Sequence, residues 1–189
     1  MKKGFTIIEL LIVVTIIVTI SGLLLVGVRN AQISARDGKR IADISQIKKF
    51  LTSYYIDPQF SKFPDSVPSP NNPESCKDWE VGNRVVQGNF LKAVVDSKYA
   101  TNLPLESGVI DGTLCTYKYR RWLNPPCAPP GTYAFIYGRC EGGNCTTNET
   151  PQWCDNNCGQ IPECVDDKGG KDAEKILYIL KEGAGDATF

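Results

Sequence analysis

The amino-acid sequence predicts an α+β chain. A long N-terminal α-helix, half membrane-spanning and half amphipathic stem, should pack on a small antiparallel β-sheet head with disulfide-rich loops. Three observations carry that expectation. All 12 prolines lie at or after Pro58 and all 8 cysteines at or after Cys76. Almost all of the long apolar runs precede Arg29. Three stretches with strand-like alternation lie beyond residue 112. The boundaries expected from this segregation are a short basic stretch at 1–4, a transmembrane segment at 5–28, a stem at 29–57 and a head at 58–189.

Bulk composition narrows the function classes. At 189 residues the chain is one domain, or one domain with an appendage. Its 21 basic and 21 acidic side chains balance, and the pI near 6.3 gives no phosphate-binding surface, so no nucleic-acid partner is indicated. The absence of histidine removes most serine-hydrolase triads, papain-like dyads and imidazole-ligated metal sites. With no nucleophile–base pair evident, the chain reads as a non-enzyme.

The first element begins after a short basic stretch, Met1–Gly4, with Lys2 and Lys3. Phe5 to Val28 is then apolar except for Glu9. A helix of that length spans a hydrocarbon core of roughly 30 Å. An ordinary signal peptide fits poorly, because the run exceeds its usual apolar region of about 7–15 residues and no clean cleavage site follows. The charge rule does not orient the segment, since Arg29, Arg36, Lys39 and Arg40 outnumber Lys2 and Lys3. The cysteines do, by requiring the C-terminal part to lie outside. A carboxylate inside an apolar helix costs a few kcal/mol on insertion scales, less near the boundary. No basic residue lies one helical turn from Glu9. It is either tolerated at the interface or paired with a cation from another molecule, and a free amine created at Phe5 by cleavage after Gly4 would sit at the same depth.

The stretch KKGFTIIELLIVVTIIVTISGLLLV resembles the N-terminal signal of type IV prepilins and type II secretion pseudopilins. The matching features are the short basic leader, Gly4, the aromatic Phe5, Glu9 and the uninterrupted apolar run. The resemblance implies that a prepilin peptidase of the bacterial inner membrane cuts between Gly4 and Phe5 and N-methylates Phe5. It also implies that Glu9 pairs with the N-terminal amine of a neighbouring subunit during assembly. The partners implied are that peptidase, identical or related pilin subunits, an inner-membrane assembly platform and, before assembly, the lipid bilayer. The implied location is single-pass in the inner membrane with the head outside, and then a cell-surface or periplasmic filament. Methylation keeps the amine cationic. Loss of Lys2 and Lys3 leaves 19 basic against 21 acidic side chains in the mature chain. Many type IV pilins have a proline near the position of Val26; this chain does not, so no proline kink is expected.

Nothing forbids one helix from Phe5 to about Ile56. Past the apolar run, Ile41, Ile44, Ile47, Leu51 and Tyr54 recur at helical spacing and predict a core-facing stripe. Arg36, Asp37, Lys39, Arg40, Asp43, Lys48 and Lys49 lie between them and are assigned to the polar face. Termination before Asp57-Pro58 follows from the steric demand of proline on its predecessor. ARDGKRIADISQIKKFLTSYYIDPQFSKFPDS is similar to the stem of G-type pseudopilins and short bacterial pilins.

The head opens with a loop-like stretch from Pro58 to about Gln87. A short helix follows, with Phe90, Leu91, Val94 and Val95 on one side, resembling the second helix of the G-type layout. Strands are expected at Thr113–Leu123, Gly131–Arg139 and Lys175–Lys181, the first two joined by a wide proline-rich hairpin, NPPCAPP. In the second, Tyr133, Phe135 and Tyr137 share a face opposite Ala134 and Ile136. These strand tyrosines are read as packing residues, with a sugar- or peptide-stacking platform as the alternative.

The cysteines are Cys76, Cys115, Cys127, Cys140, Cys145, Cys154, Cys158 and Cys164. Without C-x2-C pairs or histidine, disulfides are favoured over zinc, and the head belongs in an oxidising compartment. Spacing assigns no connectivity. Six of the cysteines fall within 127–164, where apolar content is low and bridges would supply order. This insertion departs from the compact G-type pattern. Asp166, Asp167 and Asp172 beside Gly169-Gly170 form an acidic cluster. G-type pseudopilins bind calcium through a C-terminal loop, so a calcium site is a candidate there, against a solvated loop without EF-hand spacing. No other cofactor is expected. The function implied is that of a structural filament subunit, in a type IV pilus or a type II secretion pseudopilus. The alternative is a signal-anchored, disulfide-rich adhesin or binding ectodomain.

Overall fold

The computed structural model describes residues 6–70, 72, 76, 78–82, 90–106, 117–141 and 175–183, with backbone alone at 23–26 and 175–177. The elements in chain order are helix α1 (Ile7–Ile56), strand β1 (Glu80–Val81), helix α2 (Lys92–Asp96), and strands β2 (Tyr117–Leu123), β3 (Thr132–Arg139) and β4 (Lys175–Lys181). Contacts divide the chain into two units, Met1–Arg36 and Asp37–Phe189.

In the first unit the described residues from Ile7 to Val28 are helical and their described large apolar side chains are exposed, Ile7 at 84%. Among the described residues one helix is long and apolar enough to cross a membrane, with an 18-residue window of mean hydropathy 2.8. The two threonines within it hide their hydroxyls. Thr15 Oγ1 donates to the carbonyls of Ile12 (2.8 Å) and Leu11 (3.1 Å), and Thr19 Oγ1 to those of Ile16 (2.8 Å) and Thr15 (3.0 Å). Back-bonding of this kind satisfies each hydroxyl donor within its own helix.

The second unit holds a four-stranded sheet in the order β1-β2-β3-β4, antiparallel throughout. Alternation along the strands gives it two apolar faces. On one, Tyr117, Tyr119, Ala134, Ile136, Tyr178 and Leu180 join Ile44, Ile47, Leu51 and Tyr54 of α1 and Leu91 and Val94 beside or within α2. On the other, Val81, Tyr133, Phe135 and Ile179 pack with Cys76 and Trp79. The strand expected at Gly131–Arg139 is β3 with the facing assigned from its alternation, and Lys175–Lys181 is strand over its whole expected length. The β2–β3 hairpin closes through Asn124, whose backbone N–H donates to Gly131 O (2.7 Å) and whose Oδ1 accepts from Gly131 N (2.8 Å).

Two expectations need correction. The stretch from Pro58 to Gln87 is not all loop, because Glu80 and Val81 pair with Tyr119 and Lys118 at the sheet's edge. The buried stripe of α1 is also not purely apolar. Asp37 and Arg40 are buried whereas Ile41 is exposed, so the inward positions are 37, 40, 44, 47, 51 and 54. Those steps alternate three and four, which is the seam spacing of a helix packed along its length.

At the end of α1 the chain turns back over an aromatic cluster. Tyr54 stacks on Phe60 (centroids 4.2 Å apart) and Tyr55 on Phe63 (4.7 Å). Tyr99 donates to the Asp57 carboxylate, fixing the turn at Asp57-Pro58.

Candidate functional site

The first turn of α1 explains the position of Glu9. Thr6 is the residue before the helix and Glu9 is its third helical residue. The Glu9 backbone N–H donates to Thr6 Oγ1 (3.3 Å), while Glu9 Oε2 accepts from the Thr6 backbone N–H (2.9 Å) and from its hydroxyl (2.7 Å). This is a reciprocal capping box, in which two otherwise unpaired N–H groups are satisfied by two side chains. The absence of a basic residue nearby therefore does not leave the carboxylate without a role. Among the described residues, Glu9 Oε1 accepts no hydrogen bond and Glu9 makes no ion pair.

Chemically, this is a carboxylate at the positive end of a helix dipole, flanked by exposed Ile7, Ile8, Leu10 and Ile12. One oxygen is spent on the local cap and the other is open to a donor from outside the described chain. Thr6 did not emerge from the sequence reading, although Thr-x-x-Glu ahead of an apolar run is a recognisable signature. Gly4 and Phe5, the expected processing residues, lie outside the described residues.

In the second unit several charged side chains among the described residues are paired with one another. Arg40, 4% exposed, donates to Glu106 Oε2 (2.7 Å), Glu141 Oε1 (2.7 Å) and Asp37 Oδ1 (2.8 Å). Burial alone would lower its pKa, but the bonds from Glu106, Glu141 and Asp37 outweigh that and hold the guanidinium above its ordinary value. Arg121 makes a two-pronged pair with Glu182 (2.8 and 3.1 Å) and reaches Asp65 (2.8 Å). Tyr117 donates to Asp43 (2.9 Å), and its hydroxyl pKa is raised by burial and by the Asp43 charge. Lys118 lies against Trp79 and Tyr137, 4.7 and 4.2 Å from the ring centroids. These are packing roles for Tyr117, Tyr119, Tyr133 and Tyr137, which all lie in or against the two apolar clusters.

Of the predicted cysteines, Cys76, Cys127 and Cys140 are described and each is disulfide-bonded, with no free cysteine among the described residues. Cys115, Cys145, Cys154, Cys158 and Cys164 lie outside the described residues, as do Asp166, Asp167 and Asp172 of the calcium candidate. Among the described residues there is no group of three or more His, Cys, Asp or Glu placed to hold a metal ion. Comparison with protein-family models, with curated proteins and with solved structures gives no match.

Proposed function

We propose that the chain is a structural subunit of a type IV filament, a pilus or a secretion pseudopilus, and that it works by assembly. In this reading prepilin peptidase cuts between Gly4 and Phe5 and N-methylates Phe5. The apolar part of α1 first lies in the bilayer with the head outside. It then leaves the lipid and bundles with the helices of neighbouring subunits. The resemblance of Lys2–Val26 to prepilin signals supports this, and a chain with a long N-terminal helix and a small antiparallel sheet is compatible with it. The bonded Cys76, Cys127 and Cys140 suit a disulfide-rich head in an oxidising compartment.

The observation that carries the reading is Glu9. Its capping box keeps the carboxylate at the start of an apolar helix, with Oε1 accepting nothing among the described residues. A charge taken into a dry helix bundle costs several kcal/mol unless it is paired. A neighbour's N-terminal amine at the same depth is the cation that removes that cost, so correct axial register is rewarded and misregister is penalised.

Two measurements test this. Intact mass and N-terminal analysis should find a mature chain beginning at N-methylated Phe5; retention of Met1–Gly4 in cells with an active prepilin peptidase would exclude the reading and favour an anchored binding module. Glu9→Ala should insert in the membrane yet fail to assemble efficiently. Glu9→Gln, whose amide oxygen can still cap Thr6, should fail as well. Normal filaments from both variants would remove the role given to the charge.

A further inference from the structure

Glu80 is the one strongly perturbed carboxylate in the described head that no arginine or lysine engages. It is 4% exposed, on edge strand β1. Its two oxygens reach in different directions along the chain. Oε1 accepts from Val67 N (2.6 Å), in the segment that follows α1, and Oε2 accepts from Leu91 N (2.8 Å), at the start of α2. Leu91 is held at φ 47° and ψ 37°, a left-handed conformation costly for a branched side chain, and no side chain caps the helix it begins. A cavity of about 210 Å³ lies alongside, lined by Pro64, Asp65, Val67, Glu80, Leu91, Lys92, Ala93 and Asp96.

We propose that Glu80 is a proton-operated latch: as a carboxylate it fastens both Val67 and Leu91 to the sheet edge, and as a neutral acid it loosens its hold on Leu91, freeing the start of α2 beside the cavity. An ionised carboxyl accepts strongly at both oxygens. A protonated one keeps a full acceptor at only one, and its hydroxyl must find an acceptor of its own. The Leu91 end is the one that gives, because its backbone conformation is strained and because the new hydroxyl can donate a hydrogen bond to water in the adjoining cavity.

The surroundings leave Glu80 as the group that titrates. From β2, Tyr119 faces it across the pairing, and its hydroxyl is committed to Pro64 O (2.6 Å), with a pKa raised well above the ordinary value chiefly by burial. From the segment after α1, Asp65 is bonded to Lys62 and Arg121, which hold its pKa below the ordinary value. From α2, Lys92 and Asp96 pair with each other. Burial raises the Glu80 carboxyl to about 7 from an ordinary 4.5, against the opposing pull of the Val67 and Leu91 N–H groups. For an acid shifted in this direction the folded state holds the proton more tightly than the unfolded one. Its contribution to global stability is therefore greatest below about 4.5 and is lost as pH rises towards 7. Local hold and global stability thus run in opposite directions with pH.

The test is amide hydrogen exchange on the full chain in detergent micelles, between pH 5.5 and 8, with the Glu80 side-chain carbon shift read in parallel. Exchange is corrected for its intrinsic pH dependence. The Leu91 amide should lose ~10-fold protection as pH falls, the difference between a charged and a neutral acceptor. Its midpoint should track the Glu80 titration near 7, while sheet amides such as that of Ile136 stay protected. Glu80→Gln should abolish the step at Leu91 and flatten the global pH dependence of stability; Asp65→Asn should leave the step in place. A step that survives in Glu80→Gln, or disappears in Asp65→Asn, or an unchanged Leu91 amide while the Glu80 carbon titrates, each overturns the latch.

Discussion

Over residues 7–22, and again at Val28, α1 turns its isoleucines, leucines and valines outward on every side. Over residues 37–54 it turns Ile44, Ile47, Leu51 and Tyr54 inward and surrounds a buried arginine with carboxylates. The backbone is the same; what differs is the medium each stretch is composed for. In the first, polar atoms are answered locally, Thr6 by Glu9 and the Thr15 and Thr19 hydroxyls by their own preceding turn. In the second, local pairs such as Arg40 with Asp37 are joined by partners far away in sequence, Glu106 and Glu141 for Arg40 and Tyr117 for Asp43. On the proposed filament reading the first stretch exchanges one apolar environment for another and needs its polar groups satisfied within itself, whereas a stretch built into one core can rely on distant partners.

The contrast is open to attack at several points. Arg40→Met should cost the most, about 3–5 kcal/mol, because three carboxylates would be left together without their cation. Urea unfolding of the full chain in a mild detergent, followed by fluorescence of the buried Trp79, reads it; a loss below 1 kcal/mol would mean the cluster relaxes into water. Leu51→Ala should cost about 2–5 kcal/mol by the same assay, as a fully buried residue in the main cluster. Leu11→Ala, the matching change on the exposed stretch, should leave head stability unchanged within about 0.5 kcal/mol. If both leucine variants behaved alike, the distinction between the two stretches would fail. Thr6→Ala should have a purely local effect, about 1 kcal/mol confined to the first turn. It would appear as faster amide exchange at Ile7–Leu10, with no change in urea midpoint.

Where interactions are local, the sequence was readable. The helix expected from Phe5 to about Ile56 is seen over Ile7–Ile56, and the period-two pattern of Thr132–Arg139 assigned its two faces. The capping box is equally local, and Thr-x-x-Glu ahead of an apolar run carries its signature. Long-range interactions were not readable. Asp37 and Arg40 continue the inward spacing of the stripe, but charge argued for the solvent face. What permits their burial is Glu106 and Glu141, 66 and 101 positions from Arg40. Likewise a two-residue strand carries no periodicity of its own, and β1 exists because Tyr119 and Lys118 stand opposite it. The filament reading rests on the N-terminal motif, whose processing residues Gly4 and Phe5 lie outside the described residues.

The pairing of Arg139 with Lys175 has a consequence of another kind. The chain leaves β3 and rejoins the sheet on β4 at positions directly opposite each other, and Glu141, just past the exit, is tied to Arg40 (2.7 Å). The two posts of the excursion between them are therefore set by the sheet and by the helix, whatever the excursion contains. The junction is a clasp: strand pairing on one side and the arginine on the other close the connection at strand spacing where it meets the described fold.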